Sequence, residues 1–273
     1  MTAPFRVLCL AILLSSCQAT GQSDATGTTQ RPGDLIAGHV ARVDDGDSGV
    51  VATDASDVHV RLMGVNAPEQ DECHYEESSE QLAALILDQS VDLEVISTDQ
   101  FDRTLAYVWL EDVLVNEDLV SDGFTIATTP PEEGDPHGGS LIAAEEAAFL
   151  SRAGLWSVTA CGSRDPIPEI IIDAAGSRFD PSGPDDEVLA DEWVALRSTE
   201  TVEVAGWTIR DESSEHRCHL APGTVVTVED RLIVTSVDEC WDPGGSPVWN
   251  NRGDMILVLD DEGTVVARHR YTR

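Results

Sequence analysis

The sequence predicts an α+β region followed by an all-β region, and three observations predict it. Short β-branched segments, broken by Asp-Gly and Asp-rich turns, alternate with helix-period stretches through the first half. Seven short apolar or alternating segments follow residue 168, with no helix-period stretch between them. The chain has 273 residues and 41% hydrophobic content, enough to fill a core in each half.

Residues 38–43, 49–53 and 59–63 read as strands, 78–87 as a helix, and 91–97 and 105–110 as two more strands. Helices follow at 115–122 and 141–152. Five strands in this order are compatible with an OB-type barrel, whose closure removes exposed edges and whose loops commonly hold nucleic acid. The acidic loop 130–139 (PPEEGDPHGG) has the composition of a mobile surface segment, with His137 a solvated residue in it. Beyond a linker at 162–168, strands are expected at 170–173, 193–196, 204–209, 224–228, 231–234, 255–259 and 265–268. This is the spacing of a β-sandwich, with Trp193 and Trp207 as core bulk.

Three strings concentrate chemistry: residues 43–48 (VDDGDS), 60–69 (VRLMGVNAPE) and 101–107 (FDRTLAY). Cleaving a phosphodiester needs a cation to polarise the phosphate, a carboxylate to activate water, and guanidinium groups to neutralise developing charge. The strings supply all three. Asp47 falls in a turn, Arg61 on a strand, Asn66 to Glu69 in a loop that Pro68 stiffens, and Arg103 at the start of the next strand.

With residues 145–156 (EEAAFLSRAGLW), these strings resemble the staphylococcal (thermonuclease-like) nuclease family, in the family's order, from about Gly38 to Trp156. The resemblance implies that Asp47, Asn66 and the backbone carbonyl of Ala67 hold one Ca²⁺ through hard oxygen ligands. It implies Glu69 as general base or water-positioning group, and Arg61 and Arg103 as a phosphate clamp. Asn66 stands where the family usually has a second liganding aspartate, so Ca²⁺ should bind more weakly. Gln100 and Thr129 replace a lysine and a tyrosine that some members set against the nucleotide.

The chain has no lysine and a formal charge of −35. Residues 34–161 alone carry 27 acidic residues against Arg42, Arg61, Arg103 and Arg152, a net of −23. Such a surface repels a polyanion over a Debye length of about 8 Å, which excludes tight nonspecific nucleic-acid binding. Two of those four arginines nevertheless sit at motif positions. The overall acidity reads as solvation suited to saline surroundings.

Arg6 precedes an apolar run at 7–14, and Leu14-Ser15-Ser16-Cys17 resembles a bacterial lipoprotein signal with its lipobox. The run is too short to span a bilayer of about 30 Å. Lipidation of Cys17 would anchor the chain to the outer face of a membrane, with residues 18–35 as a flexible tether. The expected organisation is therefore signal 1–17, linker 18–35, nuclease-like region 36–161 and sandwich 166–273.

Cys73, Cys161, Cys218 and Cys240 then remain, an even set that suggests disulfides in an exported protein. Four cysteines allow three pairings; the domain split favours Cys73 with Cys161 and Cys218 with Cys240. Zinc at His216-Arg217-Cys218-His219 is the lesser alternative, because no second clustered pair accompanies it.

In the second half, residues 191–197 (DEWVALR), 206–211 (GWTIRD) and 248–254 (VWNNRGD) resemble the lamin-tail family, which implies an immunoglobulin-like β-sandwich and an accessory interaction module of unknown partner. Asp173, Asp185, Asp186 and Glu192 are candidate ligands for a structural Ca²⁺. Arg252, Arg268, Arg270 and Arg273 are expected to form a basic patch able to meet phosphate. The sequence thus predicts an exported, lipid-anchored, Ca²⁺-dependent nuclease of DNA or RNA. Its rival is a non-catalytic envelope protein that only binds polymers.

Overall fold

Residues 31–33, 35–129, 135–162, 168–179, 189–242 and 248–272 are described by the computed structural model. Cys17, the tether up to residue 30, residues 130–134 of the acidic loop, Asp185, Asp186 and Arg273 lie outside them. Among the described residues no helix is long and apolar enough to cross a membrane.

Alternating apolar residues and a tight Asp-Gly turn fold β1 (Ile36–Val43) back on β2 (Ser48–Thr53), and β3 (Asp57–Leu62) continues the meander. The short β4 (Val65–Asn66) and helix α1 (Tyr75–Ile86) lead to β5 (Ser90–Thr98) and β6 (Thr104–Leu110). The antiparallel order β3-β2-β1-β5-β6 closes on itself because β3 pairs in parallel with β6, Val60 opposite Thr104 and Leu62 opposite Ala106. That is a closed five-stranded barrel. β7 (Val113–Leu114) extends its edge, α2 (Val115–Ser121) follows, β8 (Ile126–Ala127) pairs with β4, and α3 (Gly138–Ser151) packs beside α2.

Tyr107, Trp109, Leu82, Leu93 and Leu119 are fully buried in the barrel core. Burying each is worth roughly 2–3 kcal/mol. His137, expected in solvent, belongs to this interior. Its ring meets Tyr107 and Trp109 edge-on at 4.5 and 5.6 Å, and Nε2 lies 2.8 Å from Glu94 Oε2, which also accepts from Trp109 Nε1. The aromatics of β6 and the carboxylate of β5 draw the residue in, and it begins α3.

Among its described residues the C-terminal half is all β apart from short 3₁₀ turns. β9 (Ile170–Ile172), β10 (Trp193–Ser198) and β15 (Leu232–Thr235) form one sheet, and β11 (Val202–Glu203) pairs with β14 (Val225–Val226). β12 (Thr208–Arg210), β13 (Arg217–His219), β16 (Trp241–Asp242), β17 (Gly253–Leu259) and β18 (Val265–Thr272) form another, in the order β16-β13-β12-β17-β18. One core joins these sheets around Trp207, Trp241 and Trp249, while Trp193 is only half-buried at the margin. Of the strand expected at 204–209 only the end forms, as part of β12, because Gly206 turns the chain at φ +80°; β11 lies before it. β13 and β16 were absent from the expected set, being short and polar. Cys218 on β13 is disulfide-bonded to Cys240, the residue before β16, and Cys73 is bonded to Cys161. With Cys218 bonded, His219 against Thr208 and His216 against Asp211, the zinc alternative has no ligand set.

β17 is buried at every position. Its even face, Ile256 and Val258, fills the C-terminal core; its odd face, Met255, Leu257 and Leu259, packs on Ile126, Ala148, Leu155 and Trp156 of the barrel half. Period-two alternation, applied to a strand with no solvent face, explains the unbroken apolar run.

Candidate active site

Asp45 shapes the β1–β2 turn by accepting from Asp47 N at 3.0 Å and Ser48 Oγ at 2.8 Å. Gly46 is required there, since a Cβ would stand 2.0 Å from Ser78 Oγ and 2.7 Å from the Ala67 Cβ. The turn therefore presses Asp47 against the loop after β4. Asp47 Oδ2 accepts from Ala67 N at 2.6 Å and lies 3.0 Å from Arg61 Nη2.

Arg61, on β3, donates through Nη1 to Leu62 O and Val65 O and through Nη2 to Asn66 Oδ1, each at 2.8 Å. With the Asp47 ion pair at Nη2, these bonds engage both terminal nitrogens, and among the described residues no hydrogen-bond partner reaches Nε. Burial pushes the Asp47 carboxyl up to about 7 against the opposing pull of Arg61. A buried carboxylate held that far from its ordinary range gains from a nearby cation.

Arg103 precedes β6, donates from Nε to Asp99 Oδ2 at 2.7 Å, and lies over the exposed Phe101 ring, 5.5 Å from its centroid. Arg61 and Arg103 line one open groove with Gln100, Phe101 and Thr128. Glu69 is exposed outside that lining. Its backbone N donates to Glu72 Oε2 at 3.0 Å. Partial burial of its carboxyl, followed by the charges of Glu72 and Asp45, raises its pKa, while Arg217 and Arg61 oppose the shift. The structure thus brings Asp47, Arg61, Asn66 and Ala67 into direct contact, couples Glu69 to them electrostatically, and joins Arg103 through the groove.

The donor chemistry of Asp47, Asn66 Oδ1 and the Ala67 carbonyl fits a hard divalent cation: one anionic and two neutral oxygens, to be completed by water or phosphate. Among the described residues no three His, Cys, Asp or Glu side chains gather as a metal site, so this set depends on amide and carbonyl oxygens. In the C-terminal half Asp173 pairs instead with Arg231 at 2.6 Å, and Glu192 accepts from Ser236 Oγ at 2.8 Å.

The expected C-terminal basic patch does not include Arg268 and Arg270, while Arg252 is exposed and Arg273 lies outside the described residues. Arg268 reaches Glu145 at 2.7 Å and Glu146, and stacks 3.9 Å from the Phe149 ring centroid. Arg270 reaches Glu145 at 2.8 Å, Glu212 at 3.3 Å and Ala127 O at 2.7 Å. Both face the barrel half because Glu145 is buried there and needs compensation. Its carboxyl pKa is raised by burial, with Arg270 and Arg268 pulling it back.

Sequence reasoning missed a second set of residues around the site. Asn66 Nδ2 donates to Glu212 O at 3.0 Å, Arg210 and Arg217 reach Glu72 at 3.3 and 3.4 Å, and Arg217 reaches Asp71 at 2.6 Å. A carbonyl contact leaves no mark in a sequence. The two arginines, rare cations in an acidic lysine-free chain, were the signal available.

Residues 59–158 match the family described as Staphylococcal nuclease homologue, a span that holds Arg61, Asn66, Ala67, Glu69 and Arg103 but begins after Asp47. The chain is 31% identical over 132 residues to Protein ParB of Escherichia coli, covering 45% of this chain and 73% of that protein. It is 31% identical over 125 residues to a Thermonuclease of Staphylococcus intermedius, covering 43% and 74%. An Uncharacterized endonuclease of Haemophilus influenzae matches at 28% over 119 residues, covering 43% and 65%. Each match spans less than half of this chain.

Proposed function

This chain belongs to the Staphylococcal nuclease homologue family, and from that premise we propose that it is an exported, lipid-anchored, Ca²⁺-dependent nuclease that hydrolyses phosphodiester bonds of DNA or RNA. The observation that carries the reading is the contact of Asp47, Arg61, Asn66 and Ala67 beside a groove that Arg61 shares with Arg103. Asp47, Asn66 Oδ1 and the Ala67 carbonyl would hold Ca²⁺. When bound, the cation supplies Lewis-acid polarisation of the phosphate and a lower pKa for water.

This chain's own groups do the rest. Glu69, with its raised pKa, orients and deprotonates the attacking water, a role that favours a carboxyl nearer neutrality than a free one. Arg61 offers Nε–H, and Arg103 a guanidinium that it shares with Asp99, to the equatorial oxygens as charge builds there. The anchor rests on Cys17 and its lipobox, and the C-terminal half is proposed as a lamin-tail-like, immunoglobulin-like module spanning 166–273.

One observation favours the rival, a non-catalytic polymer-binding protein: both terminal nitrogens of Arg61 are already engaged within the protein. A cleavage assay on single-stranded DNA and RNA, with Ca²⁺ or with chelator, separates the two. Chelator-sensitive cleavage supports the nuclease; binding without cleavage under both conditions supports the rival.

A further inference from the structure

Resting on that reading of the site, we infer that the C-terminal β region is a working part of it: the turn between β12 and β13 positions Arg61 through Asn66, and positions Glu69 through Glu72. Glu212, Arg210, Ser214 and Arg217, which supply both grips, lie beyond the span that the family match covers.

The first grip is the amide of Asn66. Its oxygen faces Arg61 Nη2 at 2.8 Å and its nitrogen faces the Glu212 carbonyl at 3.0 Å. An amide satisfies both neighbours at once. An aspartate would set a carboxylate oxygen against a carbonyl oxygen with no proton between them, so the contact itself explains an amide at a position where a carboxylate would serve a cation better. Asn66 is 7% exposed, so solvent does not relieve a mismatch.

Glu212 is held in turn from both halves. Thr129 N donates to its Oε1, Arg270 lies 3.3 Å from its Oε2, and its own N donates to Asp254 Oδ1 at 3.4 Å. The second grip is Glu72, whose Oε2 accepts from Glu69 N while Arg210, Arg217 and Ser214 Oγ converge on the same carboxylate within 3.3–3.4 Å. The loop bearing the catalytic groups is therefore fixed at both ends by the C-terminal half. Glu212 and Arg217 are positioning residues.

The test uses the full chain, with steady-state cleavage of single-stranded DNA and hydrogen exchange of the amides of residues 65–72. Glu212→Ala, which removes the anchor of the carbonyl, should lower kcat at least about tenfold with KM within about threefold, and speed exchange of that loop at least about tenfold while β5 and β6 stay protected. Glu212→Gln keeps an acceptor for Thr129 N and should restore both to within about threefold. Should Glu212→Ala not fold, Arg217→Ala at the rim decides: kcat about threefold or more lower, with faster exchange at residues 69–72. Wild-type kcat and exchange in Glu212→Ala, or equal damage in Glu212→Ala and Glu212→Gln, overturns the inference. If the wild-type chain cleaves nothing, the nuclease reading falls by itself, and the exchange result alone decides the coupling.

Discussion

Stability should fall as pH rises from about 5 to 8, and Glu212 should carry much of that fall. Burial pushes its carboxyl up to about 8, the charge of Asp254 adds to the shift, and Arg270 opposes it. Below about pH 4.5 the folded and unfolded chains both hold the proton, and the group contributes no difference. Between 4.5 and 8 the unfolded chain has released it and the folded chain has not. The folded state then binds one more proton, and the free energy of unfolding drops with rising pH by about 1.4 kcal/mol per unit. Carried across the whole interval this sets a ceiling of about 5 kcal/mol; sharing a field with Asp254 and Arg270 reduces it to about 2 kcal/mol. For a protein of this size that is about 4–8 °C in Tm. Thermal unfolding of wild type and Glu212→Gln at fixed ionic strength, from pH 5 to 8.5, reads it directly. The variant cannot ionise, so its Tm should decline less and exceed that of wild type at pH 8. A residual slope should remain from Asp47 and Asp254, each pushed up to about 7 mainly by burial. Parallel curves for the two proteins would refute the argument.

Glu69→Gln, Arg61→Ala and Arg103→Ala should each reduce turnover by at least about 10²-fold in folded protein, because each removes a transition-state interaction; near-wild-type rates in two of them would sink the site assignment. Arg268→Ala should destabilise by about 3–5 kcal/mol, since Glu145, 1% exposed, would lose a compensating charge; urea unfolding measures it, and a loss under 1 kcal/mol would contradict the packing described. Replacing Cys73 and Cys161 by serine opens a closure of 88 residues and should cost on the order of 4 kcal/mol, to be read against the same protein under non-reducing conditions. Cys17→Ser should shift the protein out of the membrane fraction; unchanged fractionation counts against the anchor.

The barrel was legible because its signals are local: alternation wrote β1 to β3, β5 and β6, and the helix period wrote α1 to α3. The turn at Asp45-Gly46-Asp47 and the loop at Asn66 to Glu69 were legible for the same reason. Apart from the two disulfides, which were legible, what escaped were features whose cause sits on another element. His137 looks like a loop residue until Tyr107, Trp109 and Glu94 surround it. Arg268 and Arg270 look like a surface patch until Glu145, more than a hundred positions earlier, is found buried beneath them. The Asn66 contact to Glu212 is the extreme case, since its acceptor is a backbone oxygen that any residue would provide.

The strand β17 has a bearing on how freely this architecture can be recombined. Modules that travel between unrelated proteins present polar outer faces, so that a new neighbour costs nothing. Here parity along one strand divides allegiance: replacing Ile256 or Val258 disturbs the C-terminal interior, and replacing Met255, Leu257 or Leu259 disturbs the seam with the barrel half. Transplanting the C-terminal half to another host would expose the odd face to water, and trimming it away would do the same to Ile126, Leu155 and Trp156. The two halves are thereby constrained to vary together, with β17 as the hinge of their shared inheritance.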